Sequence, residues 1–357
     1  MVGETARLVA NVRWQALACE ELGAPFTAAL LRRAADDIED GGILAAAMAP
    51  LRDAPRDAAA ALRLAGAVHR LVLAGEAPAL ATHYPSVGGD ADVDAGWPVF
   101  LSTVRDRLPD VQQFLTRPPQ TNEVGRSVGL LGALAHLRSR HPLPIRLAEI
   151  GASGGLNLRA DHFRVTAAGE TVSGPADSLV TIIDGWSGAL PARPPSLEVV
   201  ERRGCDLDPI DATSDDGALT LMSYVWPEQQ LRLARLRGAI EIARAVPAEV
   251  VRQSAADFVA ELRAEPGTWL VVWHSVMWQY LAPAEHSAVQ GSLERLGAAA
   301  TTDSPLAHVA LEPRTLGSGE FVVTLRTWPD IGLGTGDRVL GIAQPHGPPV
   351  VWAAADV

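Results

Sequence analysis

Three stretches of the 357-residue chain carry residue types and spacings that can do chemistry. In the first, Arg146-Leu147-Ala148-Glu149-Ile150-Gly151-Ala152-Ser153-Gly154-Gly155-Leu156-Asn157, an apolar run ends in an acid and leads into a turn of small residues. With no side chain in the way, the backbone N–H groups of such a turn can approach a ligand closely. In the second, Val199 to Pro209, another apolar run ends in Gly204-Cys205-Asp206-Leu207-Asp208-Pro209. Asp208, with proline after it, reads as a helix cap, which leaves Asp206 as the acid closing the strand. The third, Trp269 to Leu281, ends an apolar run in His274-Ser275 and then Trp278 and Tyr280. An imidazole titrates near neutrality, so His274 at a strand end is the candidate general base, with Tyr280 beside it. Gly151-Ala152-Ser153-Gly154-Gly155 is also literally GxSxG, the nucleophile-elbow pattern. The pairs Asp303 and His308, or Asp337 and His346, come later in the chain order a serine hydrolase needs.

Other chemistries are excluded by what is missing. All 30 basic residues are arginine, so there is no ammonium for a P-loop or kinase phosphate clamp and no amine for a Schiff base. Against 42 acids the net charge is −12, and a nucleic-acid partner is not expected because the mean field repels phosphate. Cys19 and Cys205 show no metal-ligand spacing, no metal site is expected, and two distant cysteines suit a reducing compartment. The N-terminus lacks the apolar core of a signal peptide, and no run approaches a membrane span of ~20 apolar residues. The expectation is a cytoplasmic protein with no membrane partner.

The elements that position these residues fall into two kinds. Leu8 and Val12, then Leu62, Ala65, Val72 and Leu73, recur at helical spacing between Thr5 and Leu73. His83 to Pro98, rich in turn formers and acids, reads as a long loop or lid. A helix is expected over 122–139, with Thr121 or Asn122 as its cap. From Pro142 onward, short apolar runs at 145–150, 197–200, 249–252, 269–273, 308–311 and 321–325 alternate with helical stretches, one of them between Glu228 and Ala245. That alternation signals an α/β sheet. Residues 1–118 are expected to form a helical cap or substrate domain, and 119–357 the sheet domain.

The segment from Val199 to Pro209 resembles the second strand of S-adenosylmethionine-dependent methyltransferases, where GxDxSP comes after that strand. Residues 122–357 as a whole resemble the class I, Rossmann-like members of that group. The resemblance implies that Glu149, Gly151, Ser153 and Gly155 stand for the acid and GxGxG, with Ser153 in place of the middle glycine. It implies that Asp206 accepts hydrogen bonds from the ribose hydroxyls. Ser254 and Asp257 stand near the acid-alanine pattern that holds adenine, and the strand end at His274 faces the transferred methyl. Glu149 and Asp206 are 57 positions apart, so an insertion around 160–195, with a hairpin near Phe163 to Ile183, must fill the gap. Over nearly its whole length the chain also resembles the bacterial family known as domain of unknown function 2332, through YPSVGG (84–89), QTNEVGR (120–126), GASGGLNL (151–158), GCDLDP (204–209) and VWPEQ (225–229). That family brings no assigned reaction.

The expected function is therefore methyl transfer from S-adenosylmethionine to a small molecule. Asn122, Arg126 and Asn157 join the cofactor-binding set, with Arg126 facing the methionine carboxylate. Tyr84, Trp226, Glu228 and Trp278 are expected at the acceptor, where a closed cap suits a small molecule. The alternatives are a serine hydrolase acting through Ser153 and a nucleoside-binding protein of the same fold without catalysis.

Overall fold

The computed structural model describes residues 2–55, 58–193, 196–315, 318–330, 332 and 336–353. The chain divides into two compact units, Met1–Thr121 with Asp215–Ala234, and Asn122–Ser214 with Arg235–Val357. The return of Asp215–Ala234 to the first unit differs from the simple split at 118/119 expected from sequence. It carries Trp226 and Glu228 out of the sheet-bearing unit.

The first unit is helical: α1 (Val2–Glu21), α2 (Pro25–Glu39), α3 (Ile43–Ala47), α4 (Ala60–Leu73), α5 (Pro78–Ala81), α6 (Val93–Asp106), α7 (Leu108–Leu115) and, from the later segment, α9 (Asp215–Ser223) and the start of α10 (Gln230–Ala245). Leu8, Val12, Leu31, Leu64 and Val68 lie in its buried core. The loop expected over 83–98 is shorter. Asp92 caps α6 by accepting the Ala95 N–H at 3.0 Å, and Asp94 sits in the first turn, where a negative charge meets the positive end of the helix dipole. The acids that read as loop are thus a helix start, and Pro98 lies inside the helix.

The second unit is built on a nine-stranded sheet: β1 (Ile145–Ile150), β5 (Trp186–Gly188), β6 (Val199–Asp206), β7 (Glu249–Arg252), β8 (Trp269–Ser275), β9 (Leu306–Pro313), β10 (Phe321–Trp328), β11 (Arg338–Gln344) and β12 (Gly347–Trp352). Its order is β5-β12-β11-β10-β9-β8-β1-β6-β7. The five strands β9-β8-β1-β6-β7 are mutually parallel, and β10, β11 and β12 add antiparallel neighbours. Chain order runs outward from β1 through β6 to β7, then returns to β8 on the other side of β1. The winding therefore reverses between β1 and β8, and a crevice opens at the carboxyl ends of strands where winding reverses. Residues 164–182 form a separate sheet of β2 (Arg164–Ala167), β3 (Glu170–Ser173) and β4 (Thr181–Ile182), in the order β3-β2-β4. This is the insertion expected between the two acids, with one strand more than a hairpin.

Strand alternation divides the sheet into two faces. One face carries Ala148, Ile150, Leu270, Val272 and Leu306, packed with Phe258 of α11 (Ala255–Glu261) and Val289 and Leu293 of α12 (Pro283–Ala299). The other face receives α8 (Ser127–Arg140), almost wholly buried. Two glycines bring α8 close: a Cβ on Gly129 would stand 2.9 Å from Val323, and one on Gly132 2.5 Å from the Trp352 ring. The helix expected from 122 begins as a 3-10 turn, Val124–Arg126, and its cap is Glu123, whose Oε1 accepts the Gly125 N–H at 2.9 Å. Asn122 is thereby free for another partner. Among the described residues no helix is long and apolar enough to cross a membrane. Cys19 and Cys205 are free and buried, and burial pushes their thiols up to about 11 and about 12.

A candidate ligand site at the strand ends

Glu149 closes β1, in register with Trp273 of β8 and Gly204 of β6. Asp206 lies two residues beyond Gly204, so Glu149, Trp273 and Asp206 share one face of the sheet. The turn after β1 is tied down by its own backbone and by β6. The Ala152 N–H donates to Cys205 O at 2.9 Å and the Gly155 N–H to Ala152 O at 2.7 Å. Gly151 and Gly155 have φ of +68° and +67°, the left-handed region that glycine enters without cost. Ser153 is there too, at φ +54°, where a side chain is strained.

Asp206 organises this turn. Its Oδ2 accepts the Ser153 N–H at 2.8 Å and its Oδ1 accepts the Asp208 N–H at 2.9 Å. Each carboxylate oxygen keeps a further lone pair, so the group retains acceptor capacity. Asp208 pairs with Arg252 at 2.7 Å. On the other side of the turn, Asn122 Oδ1 accepts the Leu156 N–H at 2.8 Å and Asn157 Nδ2 donates to Glu123 O at 3.4 Å. Gly155 leads into a 3-10 helix, Leu156–His162.

Glu149 Oε2, Ser153 Oγ, Asn157 Oδ1 and Trp273 Nε1 are buried at this point without a hydrogen bond of normal geometry, although Trp273 and Asn157 lie near enough to Glu149 to favour its charged form. Buried polar groups are nearly always paired, so such a cluster marks a place where a ligand or ordered solvent belongs. Glu149 is only 2% exposed, and burial pushes its carboxyl up to about 8. Trp273, Asn157 and Arg159 pull it back only in part, and the charge on Asp206 raises it further. The group is therefore largely protonated at neutral pH and can donate a hydrogen bond. Met277 packs against the first residue of the turn: its Cβ and Cγ stand 3.0 Å from where a Cβ on Gly151 would be.

His274 is not part of this constellation, contrary to expectation. Glu149 is in register with Trp273, so the next residue points to the opposite face. There His274 is 2% exposed, with Nδ1 2.7 Å from Glu312 Oε1 and Nε2 3.0 Å from His308 Nε2. Trp278 stacks on its ring at 4.8 Å. Glu312 Oε1 also accepts the N–H groups of Met277 and Trp278, at 3.1 and 3.2 Å, so this carboxylate anchors the loop that carries Met277. Burial, with His274 and Arg326 adding to it, pushes the His308 imidazole down to about 3. Nothing in the sequence singled out Glu312; only the pairing of β8 with β9 brings it to His274.

Several expected site residues have other partners. Tyr280 is 72% exposed, in a 3-10 turn. Arg126 Nε donates to Pro345 O at 3.0 Å and braces the turn between β11 and β12. Ser254 and Asp257 satisfy each other at the start of α11: Ser254 Oγ accepts the Asp257 N–H at 3.1 Å and donates to Asp257 Oδ2 at 2.8 Å. Of the histidines in the hydrolase pairs, His308 bonds His274, and His346 stands 3.7 Å from Glu123. Tyr84, Trp226 and Glu228 belong to the helical unit. Tyr84 is 2% exposed there, and Glu228 is held by the N–H and hydroxyl of Thr27 at 2.9 and 2.8 Å.

Comparison with known proteins finds a family described as "Uncharacterized protein conserved in bacteria (DUF2332)", whose profile matches residues 9–352. No curated protein and no solved structure matches the chain. With almost the whole length covered, the chain belongs to the DUF2332 family.

Proposed function

We propose that the sheet-bearing unit binds S-adenosylmethionine at the carboxyl ends of β1, β6 and β8 and methylates a small molecule. The observation that carries this reading is a coincidence of place. The winding of a five-stranded parallel sheet reverses beside β1, and buried atoms of Glu149, Ser153, Asn157 and Trp273 that lack a hydrogen bond of normal geometry collect there. The parallel strands β9-β8-β1-β6-β7, with helices on both faces, support this reading.

The donor set suits an adenosine-bearing amino acid. Asp206 offers its remaining lone pairs to the ribose hydroxyls. Protonated Glu149 donates to an acceptor, or ionises to receive an ammonium. The bound cofactor supplies an electrophilic methyl on a sulfonium that departs as a neutral thioether, so no acid is needed for the leaving group. The chain's task is then to hold the acceptor in line, and positioning supplies most of the rate. His274, with both nitrogens engaged on the other face, serves to position the Met277 loop through Glu312 rather than as a base.

One feature favours a serine hydrolase instead, the left-handed backbone of Ser153. Its Oγ, however, has no hydrogen-bond partner and hence no base. Titration calorimetry with S-adenosylmethionine and S-adenosylhomocysteine tests the main reading: saturable binding of both supports it. Labelling of Ser153 by a serine-reactive phosphonate, with no nucleoside binding, reverses it.

A further inference from the structure

Helix α1 has two faces. Leu8, Val12, Ala16 and Cys19 lie on the one that joins the core of the helical unit. On the opposite side Gly3, Arg7, Ala10, Trp14, Leu17 and Glu21 are all exposed, Trp14 at 46% and Leu17 at 56%. Their spacing is 4-3-4-3-4, the seam of a two-helix coiled coil. At about 100° per residue it keeps all six within one narrow stripe. Single apolar side chains scattered over a surface need no partner, but these follow one line with an arginine near one end and a glutamate at the other. We propose that a second copy of this chain docks on that stripe, the two α1 helices running antiparallel about a two-fold axis. The inference does not rest on the methyltransferase reading.

The sequence of the stripe singles out both the partner and its direction. Antiparallel helices layered about the midpoint of the stripe set Ala10 against the partner's Trp14, and Trp14 against the partner's Ala10, so each indole ring fills the hollow over a small residue. Leu17 then covers the stem of the partner's Arg7. Helical side chains lean toward the N-terminus of their own helix. In the antiparallel pair that lean carries Arg7 toward the partner's Glu21, and the symmetry makes the contact twice. A parallel pair would instead oppose Arg7 to Arg7 and Glu21 to Glu21, a repulsion at both ends. Two further charges of α1 are used inside the unit: Arg13 pairs with Asp36 and Glu39, and Glu20 with Arg32.

The strength of the association follows from its size. A helix of 20 residues is about 30 Å long. One such pair buries less than the roughly 1,200 Å2 of a stable complex, so the dimer is weak and reversible.

Sedimentation equilibrium of the full chain in low salt, loaded from about 5 to about 300 µM, tests this. A monomer–dimer equilibrium with a dissociation constant on the order of 50 µM is expected. Trp14→Glu is expected to weaken it by about tenfold or more, and Arg7→Glu or Glu21→Arg alone by about fivefold. Both charge reversals suit the helix dipole, so the fold is kept, and circular dichroism checks it. The double variant Arg7→Glu with Glu21→Arg restores opposite charges and is expected to dimerise as the wild type does. A wild type that stays monomeric throughout the range overturns the proposal. So does a dimer that Trp14→Glu leaves intact, or a double variant weaker than either single one.

Discussion

Replacing Glu149 by glutamine keeps the shape of the side chain and removes its titration. In the folded chain the carboxyl is raised from its ordinary value of 4.5 to about 8 by burial. The raised value means that the folded chain keeps a proton that the unfolded chain releases. The stability this proton brings is complete below pH 4.5 and is lost as the pH climbs to about 8. The span from 4.5 to about 8 sets a ceiling of about 5 kcal/mol between those limits. Glu149→Gln is neutral at all pH values, so its stability relative to wild type is expected to rise by about 3 to 5 kcal/mol between about pH 5 and pH 8.5. Urea unfolding of both proteins across that range reads the difference, and the titration of groups that do not interact with Glu149 cancels in the subtraction. A difference that is flat with pH, or that falls, refutes the buried protonated carboxyl. The same substitution is expected to weaken a ligand that brings an ammonium, so this variant gains stability and loses affinity together.

Individual contacts set three other outcomes. Glu312→Ala strands the Nδ1 of His274 and the N–H groups of Met277 and Trp278, and should cost about 3 kcal/mol, read by denaturant unfolding. His308, lowered from 6.5 to about 3, gives stability that is present above 6.5 and lost as the pH falls toward 3; His308→Gln should flatten that acid limb in melting experiments. Gly155→Ala is expected to destabilise by roughly 2 kcal/mol or more, because the position has φ +67° and the new Cβ would stand 2.6 Å from Val250.

Much of the parallel sheet was legible because buried parallel strands read as short apolar runs between helical stretches: the expected 145–150 and 249–252 coincide with β1 and β7. The same property hid the faces. Trp269 to His274 is buried throughout, so no polar alternation shows that His274 points away from Glu149; only its register with β1 does. Asp206 and the glycine turn were legible because backbone conformation demands those residue types locally. Glu312, thirty-eight positions after His274, was not, since strand pairing alone joins them. At the other edge, Trp186–Gly188 of β5 is too short to register, and Pro348 and Pro349 disguise β12 as a turn. Ser254 and Asp257 are a capping pair whose spacing suits a ligand pattern and a helix start equally.

Binding of S-adenosylmethionine to the full chain, measured by calorimetry alongside Asp206→Ala and Asp208→Ala, bears most directly on what this protein does. The wild type should bind and gain about 2.7 kcal/mol of stability at 100 times the dissociation constant. Asp208→Ala, which removes the surface pair with Arg252, should retain that binding, and Asp206→Ala should lose it. No binding to the wild type, or equal affinities for the two variants, contradicts a nucleoside site at the ends of β1 and β6.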